Sequence, residues 1–181
     1  MKKTRLGTYV IYILFMLGVI LGFFYTLAML TDVTTLSFYQ DFLDPSVKPY
    51  LDAAQATNVQ LFNGCLVIVV ASIVTFFIRY RRGKPGIISH LLGFFVGTAA
   101  LVMYLISYRE MVALNEFYAV TDTEWPEAIA GLAELLGFVQ PGNFWVGSGP
   151  TLYLVLWIVS LLYALVSLAW VISFVVRRKV Q

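Results

Sequence analysis

The chain is poor in the residues that carry chemistry. One cysteine and one histidine occur in 181 residues, so no intramolecular disulfide can form and no set of Cys and His ligands can close around a metal. HExxH, GxSxG, a Cys/His pairing and a glycine-rich phosphate loop are all missing, which removes the usual signatures of metalloproteases, hydrolases and nucleotide-binding enzymes. Charge is scarce as well. Asp, Glu, Lys and Arg make up 12% of the chain, against roughly 25% in soluble domains. Leu6 to Leu30, Val59 to Ile78, Gly86 to Tyr108 and Gly149 to Val176 contain no acid, lysine or arginine, and His90 is the one imidazole among them.

Hydrophobic length takes the place of charge. With 60% hydrophobic residues, each of these four segments reaches the ~20 residues needed to cross ~30 Å of hydrocarbon. Lipid leaves open backbone groups unsatisfied, so the spans must be helices; they are too long and too uniformly apolar for barrel strands. The expected fold is an all-α integral membrane protein, a four-transmembrane-helix bundle forming one domain over residues 1–181, with spans at 6–30, 59–78, 86–108 and 149–176. The first apolar run exceeds a signal-peptide core of about 7–15 residues, and no small-x-small site follows Leu30, so it is expected to be retained as a span.

Charge orients the spans. All ten acids lie between Thr31 and Asn58 or between Arg109 and Ser148, whereas Lys2, Lys3, Arg5, Arg79, Arg81, Arg82, Lys84, Arg177, Arg178 and Lys179 lie elsewhere. The positive-inside rule predicts two in–out–in hairpins in the plasma (inner) membrane, with both termini and the turn 79–85 cytoplasmic. Arg79, Arg81, Arg82 and Lys84, with Arg177, Arg178 and Lys179, are read as anchors to anionic lipid, at about 1 kcal/mol each. Lipid attraction accounts for the basic clusters without nucleic acid.

The short turn 79–85 makes the second and third spans neighbours. The extracytoplasmic connections, 31–58 and 109–148, are long for plain loops and predict a small helical cap. Leu36, Tyr39 and Leu43 suggest one short amphipathic helix, and Val47 to Ala56 a second piece leading into the next span. In the second connection, Thr121 to Glu124 resembles a capping box ahead of Ile129, Leu132, Leu135 and Leu136. Tyr9, Tyr12, Tyr80 and Trp170 near one boundary, and Tyr104, Tyr108, Trp145 and Tyr153 near the other, read as interfacial anchors. Leu21-Gly22-Phe23-Phe24 recurs as Leu92-Gly93-Phe94-Phe95, but at a different depth, so the two hairpins are not expected to be copies.

Few positions stand out within the spans. Gly18 and Gly22, and Gly93 and Gly97, form two GxxxG stripes, with Ser160 and Ala164 as a weaker small-residue pair; such stripes let helices approach closely, and packing inside the bundle is the favoured use. Gln60, Asn63 and Cys65 form a candidate polar intramembrane patch. His90, about 6 Å into its span at 1.5 Å per residue, is read as an interfacial imidazole bonded to water, lipid or backbone. Asp41, Asp44, Asp52, Glu124, Glu127 and Glu134 have no EF-hand spacing and read as a solvated face.

No cofactor, metal or catalytic residue is expected. The functional expectation is a non-catalytic integral membrane subunit or accessory/scaffold protein of a larger complex of transport or secretion type, docking through its glycine-lined helix faces and exterior cap. The alternative is a homo-oligomeric channel or pore-forming small transporter. Expected partners are the bilayer, other integral membrane subunits or copies of itself, and an extracytoplasmic protein at loops 31–58 and 109–148.

Overall fold

The computed structural model describes residues 2–38, 48–81, 86–120 and 143–179, and side chains within 9–31, 48–78, 86–117 and 147–176. It contains four long helices: α1 (Lys2–Phe38), α2 (Lys48–Arg81), α3 (Ile87–Val120) and α4 (Asn143–Lys179). Each is long and apolar enough to cross a membrane, so the protein is a four-helix, multi-pass membrane bundle. Sequential helices pack as neighbours and α4 closes the ring against α1, with α3 and α4 forming the most extensive pair.

The helices run on past the spans that hydropathy marks. Leu36 continues α1, residues 48–58 are already α2, and α3 extends through residues 109–120. Of the short amphipathic helix expected around Leu36, Tyr39 and Leu43, only Leu36 lies among the described residues. Hydropathy falls where lipid ends, but helix propensity does not: Ala53-Ala54-Gln55-Ala56 and Glu110-Met111-Val112-Ala113-Leu114 are good helix formers. Pro49 occupies the first turn of α2, where its missing N–H costs nothing. The segments 39–47 and 121–142, which hold the rest of the expected cap, lie outside the described residues.

Burial follows an alternation of three and four residues, with Tyr50, Ser89 and Ala164 buried beside it. In α1 the buried positions are Tyr12, Phe15, Val19, Gly22, Thr26 and Met29; in α2 they include Leu51, Ala54, Asn58, Leu61, Cys65, Ile68, Ser72 and Thr75. His90, Gly93, Gly97, Ala100, Tyr104, Ser107, Met111 and Leu114 continue the pattern in α3, as do Gly149, Tyr153, Leu156, Ser160, Tyr163 and Ser167 in α4. This is a 3.5-residue period, the repeat that keeps one seam of each helix facing its partners around a left-handed supercoil. Leu17, Val67, Phe95 and Leu165 are among the large apolar side chains on the outside.

The polarity of the bundle is therefore inverted relative to a soluble protein. Serine, threonine, asparagine and tyrosine sit in the seam, while the outer faces carry Leu, Ile, Val and Phe. Because lipid is as apolar as leucine, cohesion comes from close packing and hydrogen bonds between helices rather than from removing apolar surface from water. Glycine supplies the closeness. A Cβ at Gly97 would stand 3.2 Å from the Ala164 Cα, and one at Gly93 would stand 2.7 Å from the Tyr163 hydroxyl.

Pairwise contacts fix which ends lie together. At one end Tyr12 stacks on Phe76 with centroids 6.3 Å apart, and His90 lies parallel to Trp170 at 5.5 Å. At the other end Tyr50 meets Phe117 edge-on at 5.9 Å, and Tyr25 is hydrogen-bonded to Ser148 at 2.9 Å. The beginnings of α1 and α3 and the ends of α2 and α4 thus share one end. Arg79 and Arg81 close α2 there, and Arg177, Arg178 and Lys179 close α4; we call this the basic end, and the other the acidic end.

Candidate functional site: a buried polar layer

Hydroxyls in a membrane interior need a partner, and several short ones find it in their own helix. Thr75 donates to the Ala71 carbonyl at 2.8 Å, Thr98 to Phe94 and Ser107 to Met103, each at 2.9 Å. Thr26 donates to its own turn, 2.9 Å from the Phe23 carbonyl and 3.2 Å from that of Gly22. This back-bonding to the preceding turn is open to serine and threonine because the hydroxyl sits one bond from Cβ. A tyrosine hydroxyl is too far from its own backbone to do the same.

The consequence appears in one layer towards the acidic end. Tyr104 of α3 and Tyr153 of α4 are 1% and 0% exposed, their rings 6.2 Å apart, and neither hydroxyl has a hydrogen-bond partner among the described residues. The Tyr104 hydroxyl lies 3.4 Å from where a Gly22 Cβ would stand, so α1 provides its floor. Tyr25 packs edge-on against Tyr153 at 6.0 Å. Cys65 from α2 and Thr26 from α1 are both fully buried beside these two tyrosines. All four helices contribute. Two turns further out on the face of Cys65, Asn58 is fully buried with both side-chain polar atoms unpartnered among the described residues.

Burial of such groups without compensation costs roughly 2–7 kcal/mol each in an apolar medium, so the layer is the most demanding part of the interior. Ser72, Trp157 and Ser160 add three more polar atoms unpartnered among the described residues, nearer the basic end. Between the two sets, Val19, Ile68, Ala100 and Leu156 form an apolar level.

The residues singled out from sequence fall as follows. Gly18 and Gly22 face Leu156 of α4, and Gly22 also faces Tyr104; Gly93 faces Tyr163 and Ser167, and Gly97 faces Tyr163 and Ala164. Ser160 and Ala164 are buried. Cys65 lies in the seam, whereas Gln60 and Asn63 are exposed on the outer face of α2; the three do not share one surface, because only Cys65 keeps the seam register set by Asn58 and Leu61. His90 is 6% exposed and stacked on Trp170, so its ring faces α4 in the first turn of α3. Tyr12, Tyr104 and Tyr153 are likewise interior side chains and not boundary anchors, while Tyr9 is exposed.

The side chains of Arg79, Arg81, Arg82, Lys84, Arg177, Arg178 and Lys179 lie outside the described residues, as do Asp41, Asp44, Glu124, Glu127 and Glu134. Asp52 is exposed. Among the described residues no three His, Cys, Asp or Glu side chains gather where they could hold a metal ion. Sequence reasoning missed Asn58, Thr26, Tyr104 and Tyr153 as a group. The available signal was their shared seam register, which a search for apolar periodicity passes over because the seam is the more polar face. Comparisons of the chain with protein-family models, with curated proteins and with solved structures found no match.

Proposed function

We propose that the protein is a non-catalytic subunit or accessory scaffold of a larger membrane complex of transport or secretion type, oriented in the plasma (inner) membrane with its basic end in the cytoplasm. The supporting observation is how the seam is filled. Tyr12, Phe15, Tyr163, Leu156, Tyr104 and Tyr153 occupy it level by level, and no Asp, Glu, Lys or Arg is buried among the described residues. Membrane transporters of substrates and protons characteristically bury ionisable groups or break their helices near the midplane. The glycine-lined faces are engaged by the protein's own helices, so docking on other subunits falls to the apolar outer faces and to the acidic-end segments 31–58 and 109–148.

A pore between identical copies is the competing reading. Its lumen would be lined by mostly apolar outer faces such as Leu17, Val67 and Phe95, with few polar ligands such as Gln60 and Asn63 to offer an ion. Extraction in mild detergent followed by cross-linking and mass spectrometry decides between the two. We expect unlike integral membrane subunits cross-linked through the acidic end; a closed ring of this chain alone would sink the subunit reading.

Orientation is tested separately. Cysteines placed at Ser46 or Thr123 should react with a membrane-impermeant thiol reagent added outside, and one at Gly83 should not. The native Cys65 is fully buried, so the wild-type chain should provide an unreactive background. Labelling at Gly83 alone would reverse the topology.

A further inference from the structure

We propose that the layer formed by Tyr104, Tyr153, Cys65 and Thr26 is a binding site for a small uncharged hydrogen-bond acceptor, an oxygen atom held by the two tyrosine hydroxyls. The case begins with the count of donors. Thr26 gives its proton to its own backbone. The Tyr104 and Tyr153 hydroxyls are then left as two buried donors with no acceptor among the described residues. Native interiors satisfy such groups almost without exception, with ordered water where protein cannot reach.

The surroundings select the ligand. Tyrosine, threonine and cysteine line the layer, and no charged side chain is buried among the described residues, so an ion would go uncompensated there. A Cβ at position 22 would meet the Leu156 Cδ1 at 2.9 Å and the Tyr104 hydroxyl at 3.4 Å, so glycine there lets α1 close over the layer. The rings of Tyr104 and Tyr153 are neighbours, 6.2 Å apart and inclined by 30°. That oxygen can come from water entering from the acidic end, where the buried amide of Asn58 lies two turns out on the same face. It can also come from the carbonyl of a lipid-soluble molecule such as a quinone.

Tyrosine-to-phenylalanine exchange separates a bound acceptor from wasted hydroxyls by sign. If the hydroxyls hold an acceptor, Tyr104→Phe and Tyr153→Phe each lower the melting temperature of the purified full-length protein in detergent by about 2–4 °C. If they hold nothing, removing them leaves the melting temperature unchanged or raises it, and the proposal is overturned. The infrared C–O stretch of ring-labelled tyrosine in the wild-type protein gives a second reading that needs no variant. A hydrogen-bonded phenol signature lost in each single variant supports the site; the signature of a free phenol in the wild type refutes it. Decylubiquinone distinguishes the sources. Added stability in the wild type that both variants lack assigns a lipid-phase carbonyl, and no response beside the bonded signature assigns water.

Discussion

Replacing Gly97 with leucine is expected to lower stability by at least about 1–3 kcal/mol, the usual range for overpacking a well-filled core, and to prise α3 away from α4. Even the first added carbon meets three atoms at 3.0–3.2 Å, one of them the Ala164 Cα. A side chain could rotate aside, but backbone cannot. The loss should appear as a fall in melting temperature and as faster cleavage of the turn 79–85 by protease. Gly147 makes the opposite case within the same class of substitution, since a Cβ there meets nothing within 4 Å. Gly147→Ala lies inside α4 and should be neutral or stabilising by up to about 1 kcal/mol through reduced backbone freedom in the unfolded chain.

Tyr163→Ala should cost about 3 kcal/mol, by analogy with large-to-small aromatic truncations. Tyr163 lies flat on Phe15 at a centroid distance of 4.1 Å, leans on Tyr12 at 5.9 Å and roofs both Gly93 and Gly97. Its removal leaves a hole that no neighbour is placed to fill, and lost dispersion contacts are what the fold can least spare in lipid. The same contacts predict coupling with the first substitution. Leucine at position 97 points into the space that Tyr163 vacates, so the Gly97→Leu, Tyr163→Ala double variant should be more stable than the sum of the singles by at least about 1 kcal/mol, within the range for residues in contact. Simple additivity in thermal or denaturant unfolding would show that the two residues do not share this space.

The number of spans and their helical nature were legible because lipid imposes two conditions that sequence displays directly, length and absence of charge. The glycines were legible as close-approach points for a related reason, since nothing else in a span permits backbones to meet. Three features were hidden. The helices run past the span ends at residues 31–38 and 109–120 because hydropathy reports the boundary of the lipid and not of the hydrogen-bonded ladder, whereas the piece expected from Val47 into the next span is the start of α2. Tyr104 and Tyr153 looked like boundary residues because their depth in the spans matches that of anchors, and depth says nothing of which way a helix face turns. Gln60 and Asn63 seemed to belong with Cys65 because they are near in sequence, although a rotation of 100° per residue places them on another face.

The inverted polarity of the seam gives the chain two substitution rules that exchange at every third or fourth residue. On the lipid side, leucine, isoleucine, valine and phenylalanine are close to interchangeable, and a polar residue is penalised. In the seam a gain in hydrophobicity carries no reward, because bulk closes the approach at Gly97 and loss of a hydroxyl strips Thr26 or Ser107 of the bond to its own backbone. A variant scored only by how apolar it makes the chain will therefore be ranked correctly outside the bundle and in the wrong order within it.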